Sequence, residues 1–586
     1  MDAPNRKFRI RLAALTPALV VAISFAQTAE QANSERYVND VKILASPEMQ
    51  GRGAGTKGLE RASEYIARQF KRLKLEPSGE NDTYWQTLTV TTGAKPGPGN
   101  KLGSLRLNED YTPLSFSSNG RVSSSVVFAG YGITAPEFQH DDYSHVDVKD
   151  KIVLVLRYEP KTFQKDSSAK QRVYTHHASL VSKAINARNH GAKAVILANG
   201  DGDPNQSDTL IRFGTVSGPE DVGILMVQVK NGLADEWRKN LKTGKPLQLD
   251  MRIDVQRERA DVRNVIGYLP GRSKEYIVIG AHYDHLGLGN ESSLAPSQIG
   301  KVHPGADDNA SGTAALLELA RLFASRRGDL ARGVLFIAFA GEEIGLLGSS
   351  HWVSHPTLPL ENAISMLNMD MIGRVNGSKL YIGGTGTGST FEAMLKKITG
   401  THDFKIEFSE GGFSASDHTS FAAKSIPVLF FFSGLHGDYH KPSDTWDKVN
   451  GPASTKIVSL VYDVTNSLIS ADTRPQFVKG QSSAGPHGTA PTSGGGGGYG
   501  PYFGSIPDFA PVERGVKFSD VREGSPAGKA GLKAGDILIR FGDKPVNNLY
   551  DFTYALRNSK VGEVVIVQFI RDGKEITAPV TLEPRR

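Results

Sequence analysis

Histidines and carboxylates recur at five places between residues 280 and 440, each in a short segment behind an apolar run or at the start of a helical pattern. The segments are Gly280-Ala-His282-Tyr-Asp284-His285, Gly305-Ala-Asp307-Asp308-Asn309-Ala-Ser-Gly312, Ala340-Gly-Glu342-Glu343, Asn368-Met-Asp370-Met and Asp438-Tyr439-His440. The chain has no Cys, so a metal must be held by imidazole and carboxylate. One ligand from each segment makes two His and three carboxylates, a set that suits two divalent ions. The charges balance. Two dications carry four positive charges, and three carboxylates with a bridging hydroxide carry four negative ones. A dry cleft tolerates such a site because its net charge is near zero.

The chemistry follows from the types. Metal-bound water ionises near neutral pH, against ~15.7 for bulk water. A carboxylate that touches this water without being a ligand can take its proton and pass it to a leaving amine. Adjacent Glu342 and Glu343 allow one to bind metal while the other stays free. Tyr439, just before His440, is the candidate donor to an oxyanion.

Each segment needs an element to place it. Tyr276-Ile-Val-Ile-Gly280 leads to His282, Val334-Leu-Phe-Ile-Ala-Phe339 to Glu342, Ile364-Ser-Met-Leu367 to Asp370, and Ile426-Pro-Val-Leu-Phe-Phe-Phe432 to the loop of His440. Continuous apolar runs of this length read as buried parallel strands. Helical patterns lie between them, such as Ser311 to Ala324 with Leu316, Leu317, Leu319 and Leu322 on its apolar side. The alternation predicts an α/β fold with a doubly wound, mostly parallel sheet, whose ligands gather at the carboxyl ends of the strands. Taken singly, each segment has a plainer reading. Asp307 and Asp308 before Asn309 are good helix-start chemistry, and Glu342-Glu343 would pass as a solvated first turn. Five such segments in one chain, all at one edge of one sheet, favour the metal site.

In order and wording these segments resemble the zinc exopeptidases of the aminopeptidase Y and bacterial leucyl aminopeptidase type, over roughly residues 37 to 470. The resemblance implies two Zn2+ per chain, with Asp308 bridging them. His282 and Asp370 would complete one ion, and Glu343 and His440 the other. Glu342 would be the general base and Asp284 the carboxylate that fixes the His282 imidazole. Peptides with a free N-terminus would be the substrates. The wider superfamily also holds carboxypeptidases and glutaminyl cyclases. Cyclases of this type use one zinc, and the presence of both His282 and Asp308 argues against that. A catalytically inactive binding protein is the reading from another class, and the complete ligand set with a free Glu342 argues against it.

The rest of the chain frames this unit. Lys7, Arg9 and Arg11 precede the apolar Leu12 to Ala26, with small residues up to Ala29. This reads as a secretory signal over residues 1–29, and predicts export to the periplasm or beyond the cell. No other stretch suggests a membrane span. A net charge of +6 over 586 residues argues against nucleic acid as the main partner. Residues 37–111 read as the first part of the peptidase unit, with helices at Arg36 to Ala45 and Gly58 to Leu73. Between them the loop Ser46-Pro-Glu-Met-Gln-Gly-Arg-Gly-Ala-Gly-Thr56 reads as structural. Residues 112–255 resemble an inserted, β-rich protease-associated domain without a catalytic motif. Its His176-His177 reads as a surface pair. Residues 256–472 complete the peptidase unit. Residues 473–500 are a Gly/Ser-rich linker, which predicts a separate C-terminal domain. Residues 501–586 resemble a bacterial PDZ domain, most specifically in Gly524-Ser-Pro-Ala-Gly-Lys-Ala-Gly-Leu-Lys-Ala-Gly-Asp536. The resemblance implies a C-terminal peptide ligand, taken by the loop Tyr502-Phe503-Gly504-Ser505.

Overall fold

The computed structural model describes residues 31–163, 174–200, 208–213, 220–290, 292–412, 416–478, 500–507, 512–522 and 524–584. The expected signal segment 1–29 and residues 479–499 of the expected linker lie outside them.

Two capped helices open the described chain. The Asn33 side chain accepts the Arg36 N–H at the start of α1 (Ser34–Leu44), and Thr56 accepts the Leu59 N–H at the start of α2 (Lys57–Arg72). α2 buries Leu59, Ile66 and Phe70 against the sheet that follows.

Among the described residues that sheet has nine strands. The long strand β1 (Trp85–Pro96) pairs antiparallel with β2 (Val255–Leu269), from Trp85 beside Val265 to Pro96 beside Val255. The chain leaves the sheet along one of these neighbours and returns along the other. A domain inserted between them therefore leaves the sheet unbroken. β3 (Tyr276–His282), β4 (Gly333–Phe339) and β5 (Ala363–Met369) are buried along their whole length. β6 (Lys379–Gly383), β7 (Lys405–Phe408) and β8 (Val428–Phe432) follow, and the two-residue strand Glu76–Pro77, paired antiparallel with β2 at Gly267 and Tyr268, is the ninth. The order is β2-β4-β3-β5-β8-β6-β7. The centre, β4-β3-β5-β8, is parallel, whereas β2 joins β4 and β6 joins β8 antiparallel. The edge pair β6–β7 is again parallel, though β7 is largely exposed. β1 alternates buried and exposed residues, as a half-solvated antiparallel strand does. α1, α4 (Gly312–Ala324) and α5 (Gly451–Ser470) pack together over one core with the sheet.

Among the described residues the inserted domain has a seven-stranded sheet and the helix α3 (Leu180–Asn189). Here His177 Nε2 lies 2.6 Å from Glu137 Oε1, and the His176-His177 pair joins no metal-capable group among the described residues.

The C-terminal domain has its own core, with Phe503, Phe518, Phe541 and Phe552 at its centre. Its strand β9 (Ser505–Pro507), at the end of the strand order, pairs antiparallel with β10 (Val516–Val521). The helix α6 (Leu549–Arg557) turns Phe552, Ala555 and Leu556 to this core. The linker composition suggests a separate domain, but this one packs against the inserted domain. The Tyr554 side chain of α6 enters the apolar cluster of the inserted domain, and its hydroxyl donates to Asn186 Oδ1 at 2.9 Å. Beside it, Arg188 Nη2 donates to Asp551 Oδ1 at 2.6 Å.

Candidate metal centre

The parallel strands deliver the five segments to one edge. His282 is the last residue of β3, Asp370 follows β5, Glu342 and Glu343 follow β4, and His440 lies in the loop after β8. Asp308 stands before α4.

Asp308 lies between two histidines. Its Oδ1 is 3.4 Å from His282 Nε2 and its Oδ2 is 3.2 Å from His440 Nε2. Each histidine faces a second carboxylate: His282 Nε2 lies 3.3 Å from Asp370 Oδ1, and His440 Nε2 lies 3.2 Å from Glu343 Oε2. Glu342 Oε2 stands farther off, 3.9 Å from His282 Nε2. All six side chains are buried or nearly so.

The electrostatics show what this cluster suits. Burial works against protonation of His440, yet Glu343 and Asp308 outweigh it and raise its pKa to about 11. His282 is raised too, against burial, by Asp370, Glu342, Asp284 and Asp308. A pocket that draws protons onto two histidines by its carboxylates is one that cations fit. The two adjacent glutamates are driven apart. Burial, with Asp370, Glu343 and Asp417, pushes Glu342 well above the usual carboxylate range, His282 opposing. Burial also works on Glu343, but His440 and His285 hold it below that range. Neighbours with opposed shifts suit opposed roles.

Residues 264–465 match Peptidase family M28. This unit is an M28 peptidase domain. Residues 120–237 match the PA domain and 507–582 the PDZ domain. Among curated proteins, the aminopeptidase YwaD of Bacillus subtilis (strain 168) is 27% identical over 373 residues, 60% of this chain and 71% of that protein. A probable leucine aminopeptidase of Arthroderma otae is 30% identical over 230 residues, 38% of this chain and 61% of its own length. A solved zinc aminopeptidase from Bacillus subtilis is 23% identical, with a TM-score of 0.48 over 76% of this chain and 98% of that one.

Around its candidate ligands the M28 domain builds a bonded shell. Asp284 was expected to hold the His282 ring. Its Oδ1 lies 3.7 Å from His282 Nδ1, and its hydrogen bonds go to the backbone N–H groups of Glu342 and Glu343. His440 Nδ1 lies 2.9 Å from the Ser292 carbonyl. Ser416 donates to Asp370 Oδ2 at 2.8 Å. Asp444 Oδ2 accepts the N–H groups of Asp307 at 2.9 Å and Asp308 at 3.2 Å, which ties the His440 loop to the Asp308 loop. Tyr439 stacks on His440, with ring centroids 3.8 Å apart, and joins an apolar cluster with Met371, Phe430 and Phe432. Burial and the surrounding carboxylates hold its phenol protonated.

Three residues near the site had no role in the sequence reading. His285 Nδ1 lies 2.6 Å from Glu343 Oε1, and with Asp308 and Glu343 it forms a second metal-capable group beside that of His282, Glu342 and Asp370. Its only sequence signal is its place in the His282 segment. Asp444 and Arg52 act on main-chain atoms, which no spacing rule reveals.

Proposed function

We propose that the protein is an exported zinc-dependent aminopeptidase, holding two zinc ions per chain through His282, Asp308, Glu343, Asp370 and His440. The observation that carries this reading is the place of Asp308, with one carboxylate oxygen toward His282 and the other toward His440. The M28 domain and the aminopeptidase names of its relatives support the reaction class. Bound zinc would polarise the scissile carbonyl and acidify the attacking water.

The chain's own groups divide the remaining work. Glu342 takes the proton of the attacking water on its carboxylate and hands it to the leaving amine. Burial and like charges favour its protonated form, which suits a group that must hold that proton between the two steps. The Tyr439 hydroxyl donates to the oxyanion that develops from the carbonyl. Asp284 fixes the backbone from which Glu342 and Glu343 project. Export rests on the signal pattern of residues 1–29, and the PDZ domain supports a further peptide partner with a free C-terminus.

The test is the purified protein with a panel of aminoacyl-nitroanilides and N-blocked controls, with and without a chelator. Free amino substrates should be cleaved, blocked ones spared, and chelation should stop the reaction. Cleavage of blocked substrates, or chelator-resistant activity, would overturn the reading.

A further inference from the structure

Arg52 has no exposed surface. Its guanidinium donates to four main-chain carbonyls: Nε to Tyr283 at 2.7 Å, Nη1 to Leu44 at 2.6 Å and to Pro304 at 2.8 Å, and Nη2 to Gly305 at 2.8 Å. These carbonyls come from three separate pieces of chain. Leu44 ends α1, Tyr283 follows His282, and Pro304 and Gly305 lead into Asp308.

A buried cation is usually set against a counter-ion, because a bare one is costly. Arg52 forms no ion pair among the described residues. Burial lowers its pKa to about 10, and the carboxylates of Asp308, Asp284, Asp444 and Glu343 oppose that shift from longer range. The positive charge thus lies under the acidic cluster while the donors grip the backbone around it.

The main chain repeats the connection. The Arg52 carbonyl accepts the His285 N–H at 3.1 Å, and the Gly51 carbonyl accepts the Gly287 N–H at 3.0 Å. Arg52 itself is left-handed, at φ +51°. A Cβ on Gly53 would stand 2.9 Å from Gly287 Cα, so the turn lies flat against the loop that leaves His282.

We propose that Arg52 is a positioning residue of the metal centre, fixing the loop that enters Asp308 against the loop that leaves His282. Four acceptors spread over three chain segments require a planar fork of donors. Lysine keeps the charge but is a point donor with three N–H groups, so it cannot reproduce the pattern. If the grip is lost, Asp308 shifts relative to His282, and the bridging position is lost before the fold is. The inference rests on the two-zinc reading above.

The test is zinc affinity, measured by chelator competition on the full chain, for wild type, Arg52→Lys and Gly287→Ala. Arg52→Lys should bind zinc about 10- to 100-fold more weakly, the usual range for partners that hold ligands in place. Its kcat should fall with little change in KM. Gly287→Ala leaves Arg52 intact but strains a φ of +62° and presses a Cβ to 3.1 Å from Gly53 Cα. It should weaken zinc in the same direction. A folded Arg52→Lys with wild-type zinc affinity and only a lower Tm would reduce Arg52 to a structural residue and overturn the proposal. Should Arg52→Lys not fold, Gly287→Ala decides: weaker zinc upholds the proposal, and wild-type zinc overturns it. A wild-type protein that takes up no zinc would bring down the two-zinc reading itself, and this inference with it.

Discussion

Asp284 holds Glu342 by its backbone, accepting the Glu342 N–H on Oδ1 at 3.2 Å, while its Oδ2 accepts the next N–H, that of Glu343, at 3.3 Å. One fully buried carboxylate therefore sets the start of the segment that carries both glutamates. Asp284→Asn keeps the shape but turns an amide NH2 toward one of these N–H groups. Two donors then face each other in a buried place, at a cost of about 1–3 kcal/mol. Turnover should fall about tenfold or more, with looser zinc. Unchanged kcat and zinc affinity would show that the two N–H bonds do not matter to the site.

Glu342→Gln removes the proton acceptor and little else. Turnover should drop by about 10²–10⁴, with the metal content unchanged. Metal analysis beside the kinetics separates two failures. Surviving activity would remove Glu342 as the base. Lost metal would mean that Glu342 and Glu343 have exchanged roles.

Metal removal should act on stability as well as on rate. Metal analysis at saturating zinc should find two ions per chain, and chelation should abolish activity and lower Tm, both restored by zinc. The effect should depend on pH. In the chelated protein the His440 pKa is raised from its ordinary 6.5 to about 11. That protonation contributes stability fully below 6.5, and the contribution is lost as pH rises toward 11. Zinc needs the neutral imidazole, so its binding strengthens as pH rises. The Tm gained on adding zinc should therefore grow across this window. A gain that shrinks as pH rises would contradict the assignment of His440 as a ligand.

Tyr439→Phe distinguishes chemistry from packing. The ring stacks on His440 and lines an apolar cluster, and Phe keeps both contacts. Only the hydroxyl is lost. If it donates to the oxyanion, kcat should fall more than KM rises. A normal kcat with a lower Tm would leave Tyr439 a packing residue.

How far the site was legible depended on what each residue touches. His282, Asp308, Glu343, Asp370 and His440 could be read because each follows an apolar run or opens a helix, and β3, β4, β5 and β8 are those runs, buried throughout. Asp284 is marked by its place two residues after His282, but not for the backbone N–H groups it holds, and Arg52 and Asp444 likewise bond to backbone groups, which every residue possesses. Nothing in the sequence marks such a partner. The antiparallel flanks are less legible because neither is a plain apolar run: β1 alternates buried and exposed residues, and β2 is polar and largely exposed between residues 256 and 261. The docking of the PDZ domain was masked by composition. Glycine between residues 494 and 498 speaks for freedom, whereas Tyr554 and Asp551 pass for ordinary surface residues of a short helix.

That docking bears on the last prediction. α6 faces two ways. Phe552, Ala555 and Leu556 pack into the PDZ core, while Asp551 and Tyr554 meet Arg188 and Asn186 of the PA domain. β9 stands at one end of the strand order of its sheet, next to the loop of Phe503 and Gly504. Gly504 has φ +92°, and a Cβ there would run into the Ser525 side chain, so this turn requires glycine. The edge strand and the loop are what a peptide with a free C-terminal carboxylate needs, the strand for main-chain pairing and the loop for the carboxylate. The full chain should bind such peptides, and amidation of their C-terminus should weaken binding. Tyr554→Ala should release the domain onto its Gly-rich tether, read as a larger radius of gyration in solution scattering, with peptide affinity and small-substrate turnover unchanged. A chain ending at Thr473 should likewise cleave small chromogenic substrates at a near-normal rate, because the ligand segments lie outside the PA–PDZ contact. Equal binding of free and amidated peptides would remove carboxylate capture. Lost small-substrate activity in either variant would make the docked domain part of the enzyme's working core.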